Sequence, residues 1–577
     1  MASRSGSVHV AVTRRQYGEK VYESFLLRRS YREDGKVKNE TVGNLSHLPR
    51  PLIELIRRSL AGETFFSSDS LEVVESREHG GTALVLGVMA VLGLPTVLAR
   101  QRSRERDLVE AMIAARILAP ASKLATTRWL AGTTLPEETG IGEVDEDALY
   151  AALDWLAEAQ PRIEKKLARQ YLGDGTLVLY DISSTAVTGR RCPLAKRGKS
   201  RCHRPDLPQV VYGVVTDRLG CPVAVEVFEG NTNDTTTVMG QVQKVKERFG
   251  LKRLVFVGDR GMIRNARVEE LRGVAGVDWI SALTSVELQR LVDEGVVQLG
   301  LFDERNLMEV QSDAYPGERL MVCRNPVLAQ ERARKRNELL DATEQRLRKI
   351  QEAVASGRLT DAGEIGERVG RAWGRQRMRK HFECAIGQGS FSYHRREDRI
   401  AKEAALDGFY VIRTSLPADE TNTPTEVVRG YKRLAQVERV FRTMKTTHLL
   451  VGPIRHWTER RVRAHIFLCM LAAHVLWHLE RRLTPLLFRD PAIPALNEAG
   501  DPILPKARST EGKRKCLEKT TQDGHPLHSM ATLLDSMNTL QRHTMRVAGQ
   551  DGPTWPQLGV PSAWHRKVFE TAEVPLA

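Results

Sequence analysis

Three acidic residues have the types and the surroundings for metal-dependent chemistry. Asp181 closes the apolar run 177–180 and Asp259 closes the run 254–258; both runs are short and rich in β-branched or aromatic residues, as buried strands are. Glu438 lies far downstream, in a segment with the periodicity of an amphipathic helix. Convergent carboxylates can hold two Mg²⁺ ions about 4 Å apart, which activate a nucleophile and stabilise the leaving oxygen of an in-line displacement. The trio therefore indicates chemistry on phosphodiesters.

The order of the elements around the first two acids predicts how they meet. The pattern indicates strands at 177–181, 209–217 and 221–228, a helix after Asn233-Asp234, a strand at 254–258, a helix at 262–273 and a strand at 277–283. Three meandering strands followed by helix, strand, helix and strand are typical of a ribonuclease H-like α/β fold, a mixed sheet flanked by helices. In that order Asp181 ends the central strand and Asp259 follows its neighbour, so the two side chains converge.

The third acid lies on one side of a predicted helix. Residues 423–426 read Thr-Pro-Thr-Glu, a capping box with proline at the first helical position. One apolar stripe is expected to be buried: Leu434, Val437, Phe441 and Met444. Tyr431, Glu438 and Lys445 are each seven residues apart and form a second stripe at the border of the first. Glu438 can then reach the sheet; the alternative from spacing alone is a surface glutamate paired with Arg442.

The charge of the chain favours an acidic polymer as its partner. The 577 residues carry a formal net charge of +15, with a pI near 9.5, and each phosphate that a Lys or Arg neutralises releases a counterion. Residues 324–380 contain 15 Lys or Arg and 8 Asp or Glu, so 15 minus 8 gives +7. This segment is either a nucleic-acid face or a solvated helix of mixed charge. One basic cluster within it has Trp373 beside it and no acidic partner in the sequence pattern: Arg371, Arg375, Arg377, Arg379 and Lys380.

Five regions are predicted along the chain. Residues 1–63 indicate a β-hairpin, with strands at 21–31 and 36–44 around the turn pair Asp34-Gly35. Residues 64–172 indicate helices at 82–98, 105–117, 122–131 and 146–171; the turn at 119–122 fits either a helix-turn-helix or, as we favour, ordinary helix packing. Residues 173–284 and 406–482 are predicted to form the ribonuclease H-like core, with a further strand at 409–412. Residues 285–405 are predicted to be a basic insertion in which the regular alternation is lost, and 483–577 an irregular C-terminal region with one helix near 526–543. The apolar stretch 465–479 predicts a buried helix and no membrane span.

Five blocks of sequence resemble one family. Residues 431–445 resemble the signature of DDE-type insertion-sequence transposases, the group marked by tyrosine, arginine, glutamate and lysine. Further blocks resemble that group in the same order: Asp181 with Ser183-Ser184-Thr185, then 230–234, Asp259-Arg260-Gly261 and 453–457. The hairpin with Asp34-Gly35-Lys36 is similar as well. One departure is that the signature places arginine three residues after the tyrosine, where this chain has Leu434, so the arginine role is carried to Arg433.

The resemblance implies a transposase that binds terminal inverted repeats, cuts DNA by metal-dependent hydrolysis and joins the 3′ ends to target DNA. It implies that Asp181, Asp259 and Glu438 are the catalytic acids, holding two Mg²⁺ ions for which Mn²⁺ can substitute. Contacts to DNA are expected from three residues of the signature and three of the insertion: Tyr431, Arg433, Lys445, Arg375, Arg377 and Arg379. Trp373 is a candidate for stacking on an unpaired base, although core packing is favoured.

The implied partners are transposon-end DNA and target DNA, held by a homodimer in the DNA complex; no membrane partner is expected. Seven scattered cysteines without a CxxC pair, and an N-terminus without a signal pattern, favour a bacterial cytoplasmic, nucleoid-associated protein. Two alternatives stay open. One is a ribonuclease H-like nuclease that cuts without joining, and the other is a domesticated, inactive DNA-binding protein, against which the presence of all three acids with Lys445 argues.

Overall fold

The described part of the chain divides into two units. The computed structural model describes residues 6–33, 36–63, 65, 70–202, 204–302, 305–376, 378–446, 448–492, 500–504, 506–548 and 553–576. The first unit comprises Met1–Ser76 and Arg542–Gly559, and the second comprises Arg77–Gln541 and Val560–Ala577. All three candidate catalytic acids belong to the second unit.

Sixteen strands in four sheets are present in the described residues. In chain order they are β1 (Ser7–Tyr17), β2 (Lys20–Glu33), β3 (Lys36–Asn44), β4 (Leu71–Glu78), β5 (Leu177–Ala186), β6 (Gln209–Thr216), β7 (Pro222–Glu229), β8 (Leu254–Val257), β9 (Val277–Ala282), β10 (Leu307–Val310), β11 (Arg319–Arg324), β12 (Phe382–Gly387), β13 (Ser390–Arg395), β14 (Phe409–Thr414), β15 (Gln541–Val547) and β16 (Trp555–Leu558). β1, β2 and β3 form an antiparallel meander, β12 and β13 form a hairpin, and β4, β15 and β16 form a third small sheet. The other eight strands build the central sheet.

Nineteen α-helices accompany these strands in the same described ranges. They are α1 (Arg50–Leu60), α2 (Gly80–Val91), α3 (Leu94–Leu98), α4 (Arg104–Leu118), α5 (Lys123–Ala131), α6 (Leu135–Thr139), α7 (Glu146–Tyr171), α8 (Asp234–Gln243), α9 (Asn265–Arg272), α10 (Ser285–Asp293), α11 (Pro326–Ala355), α12 (Ala362–Gln376), α13 (Glu397–Ala405), α14 (Pro424–Lys432), α15 (Leu434–Lys445), α16 (Glu459–Arg482), α17 (Thr510–Glu518), α18 (Met530–Met537) and α19 (Ala563–Ala572). Side-chain caps define several starts: Ser122 accepts from the Ala125 backbone at α5, and Thr458 accepts from Arg461 at α16.

The central sheet has the strand order β10-β11-β14-β9-β8-β5-β6-β7. β5, β6 and β7 form an antiparallel meander, β8 pairs in parallel with β5, and β9 pairs in parallel with β8. β5 is therefore central, with the meander on one side and the two parallel strands on the other. This arrangement confirms the predicted ribonuclease H-like fold.

Three further strands extend this sheet. β14 pairs antiparallel with β9, β11 with β14, and β10 with β11. β14 was expected from residues 409–412, but β10 and β11 lie in the part of 285–405 where the sequence pattern predicts no regular strand, so that prediction is wrong for these two. Charged residues interrupt both runs: Glu309 lies within the four residues of β10, and arginine lies at both ends of the six-residue β11. Neither run therefore stands out as a strand in the sequence.

Local signals place most of the other elements correctly. The predicted hairpin strands lie within β2 and β3, while the turn pair Asp34-Gly35 lies outside the described residues; β1, which completes the meander, was not predicted. The single helix predicted at 82–98 is two helices, α2 and α3, because Gly93 between them has a left-handed φ of +64°. In the C-terminal part, α18 matches the helix expected near 526–543, whereas α17, α19 and both strands were missed.

The apolar helix α16 lies in the core of the second unit, as its sequence predicts. By length and composition it could cross a membrane, but 83% of its most apolar stretch is buried inside the protein. It packs against α4, α7 and β7. These protein contacts account for its apolar surface.

A buried ion pair ties the added strands to the rest of the sheet. Arg413 of β14 donates from Nε to Glu318 Oε2 at 2.5 Å and from Nη2 to Oε1 at 2.6 Å. The two side chains are 3% and 2% exposed. Arg413 also donates to Asn265 Oδ1, at the start of α9, at 2.6 Å. Because both charges are desolvated, each depends on the other.

Glu318→Gln should lower the free energy of unfolding by about 3–5 kcal/mol, because it leaves the buried Arg413 charge without its carboxylate. Glu338→Gln is the matched control, since Glu338 pairs with Arg334 on the exposed face of α11 and such pairs contribute about 0.5 kcal/mol or less. Urea unfolding followed by circular dichroism measures both changes. Equal losses in the two variants would contradict the structural role of the buried pair.

Candidate active site

The register of the central strands brings Asp181 and Asp259 together. In the parallel pair of β5 and β8, Leu179 lies opposite Val257, and two residues further along each chain lie Asp181 and Asp259. β5 continues to Ala186. Asp181 therefore lies within the strand, and the prediction that it ends the strand is wrong. Asp181 is half-buried and Asp259 is exposed. The two carboxylates thus share one side of the sheet, where β8 has already ended.

The environment of Asp181 disfavours its charged form. Its Oδ1 accepts a hydrogen bond from the Ile182 backbone N–H at 2.7 Å. Burial is the main cause that raises the pKa of Asp181, from 3.8 to about 7. The negative charges on Asp259 and Glu438 raise it as well, while the Ile182 N–H and the charge of Arg201 lower it. Glu438 thus acts electrostatically on Asp181, and the helix that carries it packs against β5.

Glu438 is positioned by a helix that packs on the central strand. The helix predicted from residue 424 is divided into α14 and α15 at Arg433. Thr423 Oγ1 accepts from the Glu426 backbone at 3.3 Å, but the side chain of Glu426 pairs with Arg429, so only the Thr423 half of the capping box is seen among the described residues. α15 packs against β5 and β6.

The predicted apolar stripe of α15 is confirmed at three of its four positions. Val437, Phe441 and Met444 are buried, and Leu434 is half-buried. Glu438 is exposed on the same helix. It forms no ion pair with Arg442 among the described residues. The alternative interpretation, a surface glutamate paired with Arg442, is therefore wrong. Burial of the apolar stripe therefore fixes the helix that carries Glu438.

Two neighbours of Glu438 in the predicted polar stripe also contact the site. The Tyr431 hydroxyl donates to Asp259 Oδ1 at 3.3 Å, and Lys445 Nζ donates to the Arg201 carbonyl oxygen at 3.2 Å. Burial and then the charge of Asp259 raise the pKa of Tyr431, while burial lowers the pKa of Lys445. Arg433 lies at the helix break, where its backbone N–H bonds to the carbonyl oxygens of Arg429 and Gly430. Its role stays a prediction.

The donors at this site suit a hard divalent cation. Asp181, Asp259 and Glu438 offer carboxylate oxygens, the ligands that Mg²⁺ prefers in proteins. None of the three forms an ion pair with a Lys, Arg or His among the described residues, so their combined negative charge is left for a cation or for protons. The charges of Asp259 and Glu438, which no ion pair neutralises, contribute to the raised pKa of Asp181.

A second group of potential ligands is explained by hydrogen bonds. Cys221, His474 and His478 are the only three His, Cys, Asp or Glu side chains of the described ranges whose ligand atoms all lie within 4.8 Å of one another. His474 Nδ1 is 2.9 Å from the Pro222 carbonyl oxygen, and His478 Nε2 is 2.8 Å from the Tyr171 hydroxyl. Both nitrogens already have partners, so this group is a polar cluster of the core.

A basic segment next to Asp181 was missed. Residues 182–205, which comprise the end of β5 and most of the β5–β6 connection, contain seven Lys or Arg and no Asp or Glu; Asp206 follows and pairs with Arg204. Arg201 accepts from Lys445 through its carbonyl oxygen and donates from its backbone N–H to Ser184 Oγ at 2.9 Å. The exposed basic side chains of the segment are Arg190, Arg191, Lys196, Arg197, Lys199 and Arg204. Counting charged residues along the sequence could have identified this run of 24 residues without Asp or Glu.

The basic cluster of the insertion differs from its prediction. Arg371 pairs with Glu367 and Lys380 with Glu403, so the expectation that these residues lack acidic partners is wrong. Arg379 lies over the Trp373 ring at 5.8 Å, and Trp373 packs against a buried apolar cluster that includes Ala372 and Met378, which agrees with core packing. Arg377 and the side chain of Arg375 lie outside the described residues.

The strand order defines a ribonuclease H-like fold, and comparison with known proteins identifies the family. Residues 180–476 match the family described as "Transposase DDE domain", and residues 10–72 match the "IS1634 family transposase, N-terminal domain". The first match spans just over half of the chain, so the protein belongs to the DDE transposase family. It is an insertion-sequence transposase, a DNA-cutting enzyme of a family that uses divalent metal.

Two other comparisons add little. No match was found among curated proteins. A solved structure, the cryo-EM structure of the piggyBac transposase synaptic complex with hairpin DNA, is similar over 80% of this chain and 76% of its own chain, at 9% identity and a TM-score of 0.35. A TM-score of this size does not establish a shared fold, so the strand order and the family match carry the assignment.

In metal-free protein, Asp181→Asn should stabilise the second unit at pH 8. The folded-state pKa of Asp181 is raised from 3.8 to about 7. The contribution of the protonated side chain to the free energy of unfolding is therefore fully present below pH 3.8 and is lost as the pH rises through 7. At pH 8 the variant should gain on the order of 2–4 kcal/mol, and at pH 4 the gain should vanish. Unfolding in EDTA at several pH values measures this.

Asp206→Asn is the control for that experiment. Asp206 is exposed on the same β5–β6 connection, and its hydrogen bond with Arg204 lowers its pKa. This variant should show no gain at pH 8. A gain of the same size in both variants, or one for Asp181→Asn that does not depend on pH, would contradict the assigned electrostatics.

Proposed function

We propose that this transposase binds the terminal inverted repeats of its own element, cuts DNA there by metal-dependent hydrolysis and joins the freed 3′ ends to target DNA. The observation that carries the proposal is the convergence of three unpaired acids: Asp181 and Asp259 through strand register, and Glu438 through the helix packed on β5. In a transposase with a ribonuclease H-like sheet, we infer that the reaction takes place where these three acids converge.

The three acids would hold two Mg²⁺ ions, for which Mn²⁺ can substitute. When bound, such ions lower the pKa of water and stabilise the charge that develops on the attacking and leaving oxygens. The protein supplies the positions. The Ile182 N–H fixes one oxygen of Asp181, the Tyr431 hydroxyl orients Asp259, and the buried stripe of α15 holds Glu438.

The reaction needs no covalent bond to the protein. Water attacks the phosphorus at the element end, the bond from phosphorus to the 3′ oxygen breaks, and that oxygen leaves as a 3′-hydroxyl. The hydroxyl then attacks a phosphodiester of target DNA, forming one bond and breaking another. Tyr431 and Lys445 lie at the site and would contact the end DNA, together with Arg433 and with Arg375, Arg377 and Arg379 of the basic insertion at 285–405.

Two ends must be brought together for this outcome, so we propose a homodimer in the DNA complex, working at the nucleoid in the bacterial cytoplasm. The basic β5–β6 connection would form part of the DNA surface beside the acids. It begins on the strand that carries Asp181, and Lys445 and Arg201 join it to α15. A polymer with phosphates at regular spacing would neutralise its side chains while crossing the acids.

A cleavage assay tests the chemistry. The protein is incubated with Mg²⁺ and labelled DNA that contains the element ends and a target. Asp181→Asn, Asp259→Asn and Glu438→Gln should each reduce cutting at least 1,000-fold, because each removes a charged ligand of the reacting centre. Tyr22→Phe, an exposed change in the first unit, is the control. Cutting without joining supports the nuclease alternative, bound but intact DNA supports an inactive DNA-binding protein, and acid variants that cut like the parent refute the site.

The basic connection makes a separate prediction about salt. Replacing Arg191, Lys196, Arg197 and Lys199 with Ala should flatten the dependence of log K on log salt by about one unit for each lost phosphate contact. The matched control replaces Lys165, Arg169, Lys252 and Arg253, which are equally exposed; the last two precede β8, at its opposite end from Asp259. Fluorescence anisotropy at several salt concentrations gives both slopes. Equal slopes would remove the β5–β6 connection from the interface.

The insertion is tested in the same way. Replacing Arg375, Arg377 and Arg379 with Ala should also flatten the slope by about one unit per contact if this segment meets phosphates. An unchanged slope would exclude the segment and leave the β5–β6 connection as the better supported surface.

A further inference from the structure

Two buried cations of the second unit have no counter-charge. Arg116, in α4, is 6% exposed, and Lys123, the first residue of α5, is 4% exposed. Neither side chain has a hydrogen bond or an ion pair within the described residues. Lys and Arg are rarely buried to this degree without a partner, because an unpaired charge loses its hydration and gains nothing in return.

The other buried cations of the protein show what is missing. Within the described ranges, five more Lys or Arg are buried, and each has acidic or carbonyl partners: Lys244 with Glu164, Arg319 with Glu309, Arg336 with Asp407, Arg413 with Glu318, and Lys515 with the carbonyl oxygens of Thr484, Leu487 and Arg489. Only Arg116 and Lys123 depart from this rule among the residues described. Their burial therefore needs a different explanation from structural pairing.

The groups around these two cations add positive potential. Burial and the charge of Arg116 lower the pKa of Lys123 to about 7. Burial, Lys123 and Arg116 lower the pKa of His456 to about 3. His465 faces the same charges; its Nε2 is 3.0 Å from the Val451 carbonyl oxygen, and its Nδ1 is buried with no hydrogen-bond partner. The Cys469 thiol is the one acidic group among the causes of these shifts, and no carboxylate is among them. The cluster therefore holds positive charge without a carboxylate to neutralise it.

This cluster lies close to the strand that carries Asp181. His456 is two residues after Ile454, whose backbone N–H donates to the Ala186 carbonyl oxygen at the end of β5 at 2.8 Å. Lys123 follows the turn at 119–122 and lies at the N-terminal end of α5, where backbone N–H groups add partial positive charge. Next along the chain, Trp457 is 60% exposed and has Arg191 over its ring at 5.4 Å. The basic β5–β6 connection thus reaches the same segment.

We propose that Arg116 and Lys123, flanked by His456 and His465, form a phosphate-binding site that takes one backbone phosphate of the bound DNA. A phosphate supplies the negative charge that the cluster lacks, and acceptor oxygens for the Arg116 and Lys123 donors. DNA as the source of the phosphate rests on the proposed function, whereas the presence of a phosphate site does not. The turn between α4 and α5 would then contact DNA through one buried anion and not through a recognition helix.

The first test uses the full-length protein and inorganic phosphate. At pH 6.5, phosphate should raise the midpoint of thermal unfolding by about 2–4 °C over chloride at equal ionic strength, because it binds the folded state alone. Arg116→Met and Lys123→Met should lose this shift. Arg128→Met, which removes an exposed charge from α5, should keep it. Absence of the shift in the parent protein overturns the site without reference to any variant.

The second test replaces phosphate with an element-end DNA duplex. Lys123→Met should weaken binding about tenfold and flatten the salt slope by about one unit, while Arg128→Met should change neither. Lost phosphate response with unaltered DNA binding would overturn the DNA source. A Lys123→Met protein that is more stable than the parent and binds DNA equally well would identify Lys123 as a merely buried lysine and overturn the proposal. Because the phosphate shift does not depend on cutting, failure of the cleavage assay leaves it measurable.

Discussion

The concentration of negative charge beside the middle of the central sheet is the constraint on which the rest of the site depends. Asp181 and Asp259 each lie two residues beyond the paired Leu179 and Val257, and a helix packed on β5 adds Glu438. Like charges repel at short range, so such a group persists only where rigid elements hold it. The parallel pairing of β5 with β8 and the buried stripe of α15 supply that rigidity. Burial first, and then the charges of Asp259 and Glu438, raise the pKa of Asp181.

Positive charge is distributed in a complementary way. Most buried cations are neutralised inside the fold, as Arg413 is by Glu318 and Lys244 by Glu164. The basic connection that follows Asp181 and the cluster of Arg116 and Lys123 are different. No carboxylate of the described residues forms part of the cluster, and the connection has seven Lys or Arg against one acid, Asp206. A DNA backbone that crosses both would supply the missing negative charge, while metal ions would neutralise the acids.

Much of the core could be predicted because its signals are local. Alternating and continuous apolar runs located β5 to β9 and β14, and the order of those strands was enough to predict the sheet. Strands were missed where charged residues interrupt a short apolar run, as in β10 and β11. The helix carrying Glu438 was predicted as continuous, but it breaks at Arg433, three residues after Gly430.

The sequence by itself determined which residues are the candidate acids, which helix face is buried and which strands form the sheet, because each follows from the period of residues close along the chain. Only the tertiary structure decided which charges are compensated. Arg371 and Lys380 seemed unpaired and are paired, with Lys380 reaching Glu403 on a different element. Arg116 and Lys123 carry no signal in the sequence and are buried without partners. The Arg371–Glu367 pair follows helical spacing and could have been predicted. The Lys380–Glu403 pair and the desolvation of Arg116 and Lys123 depend on contacts between residues distant in the chain, which no local pattern encodes.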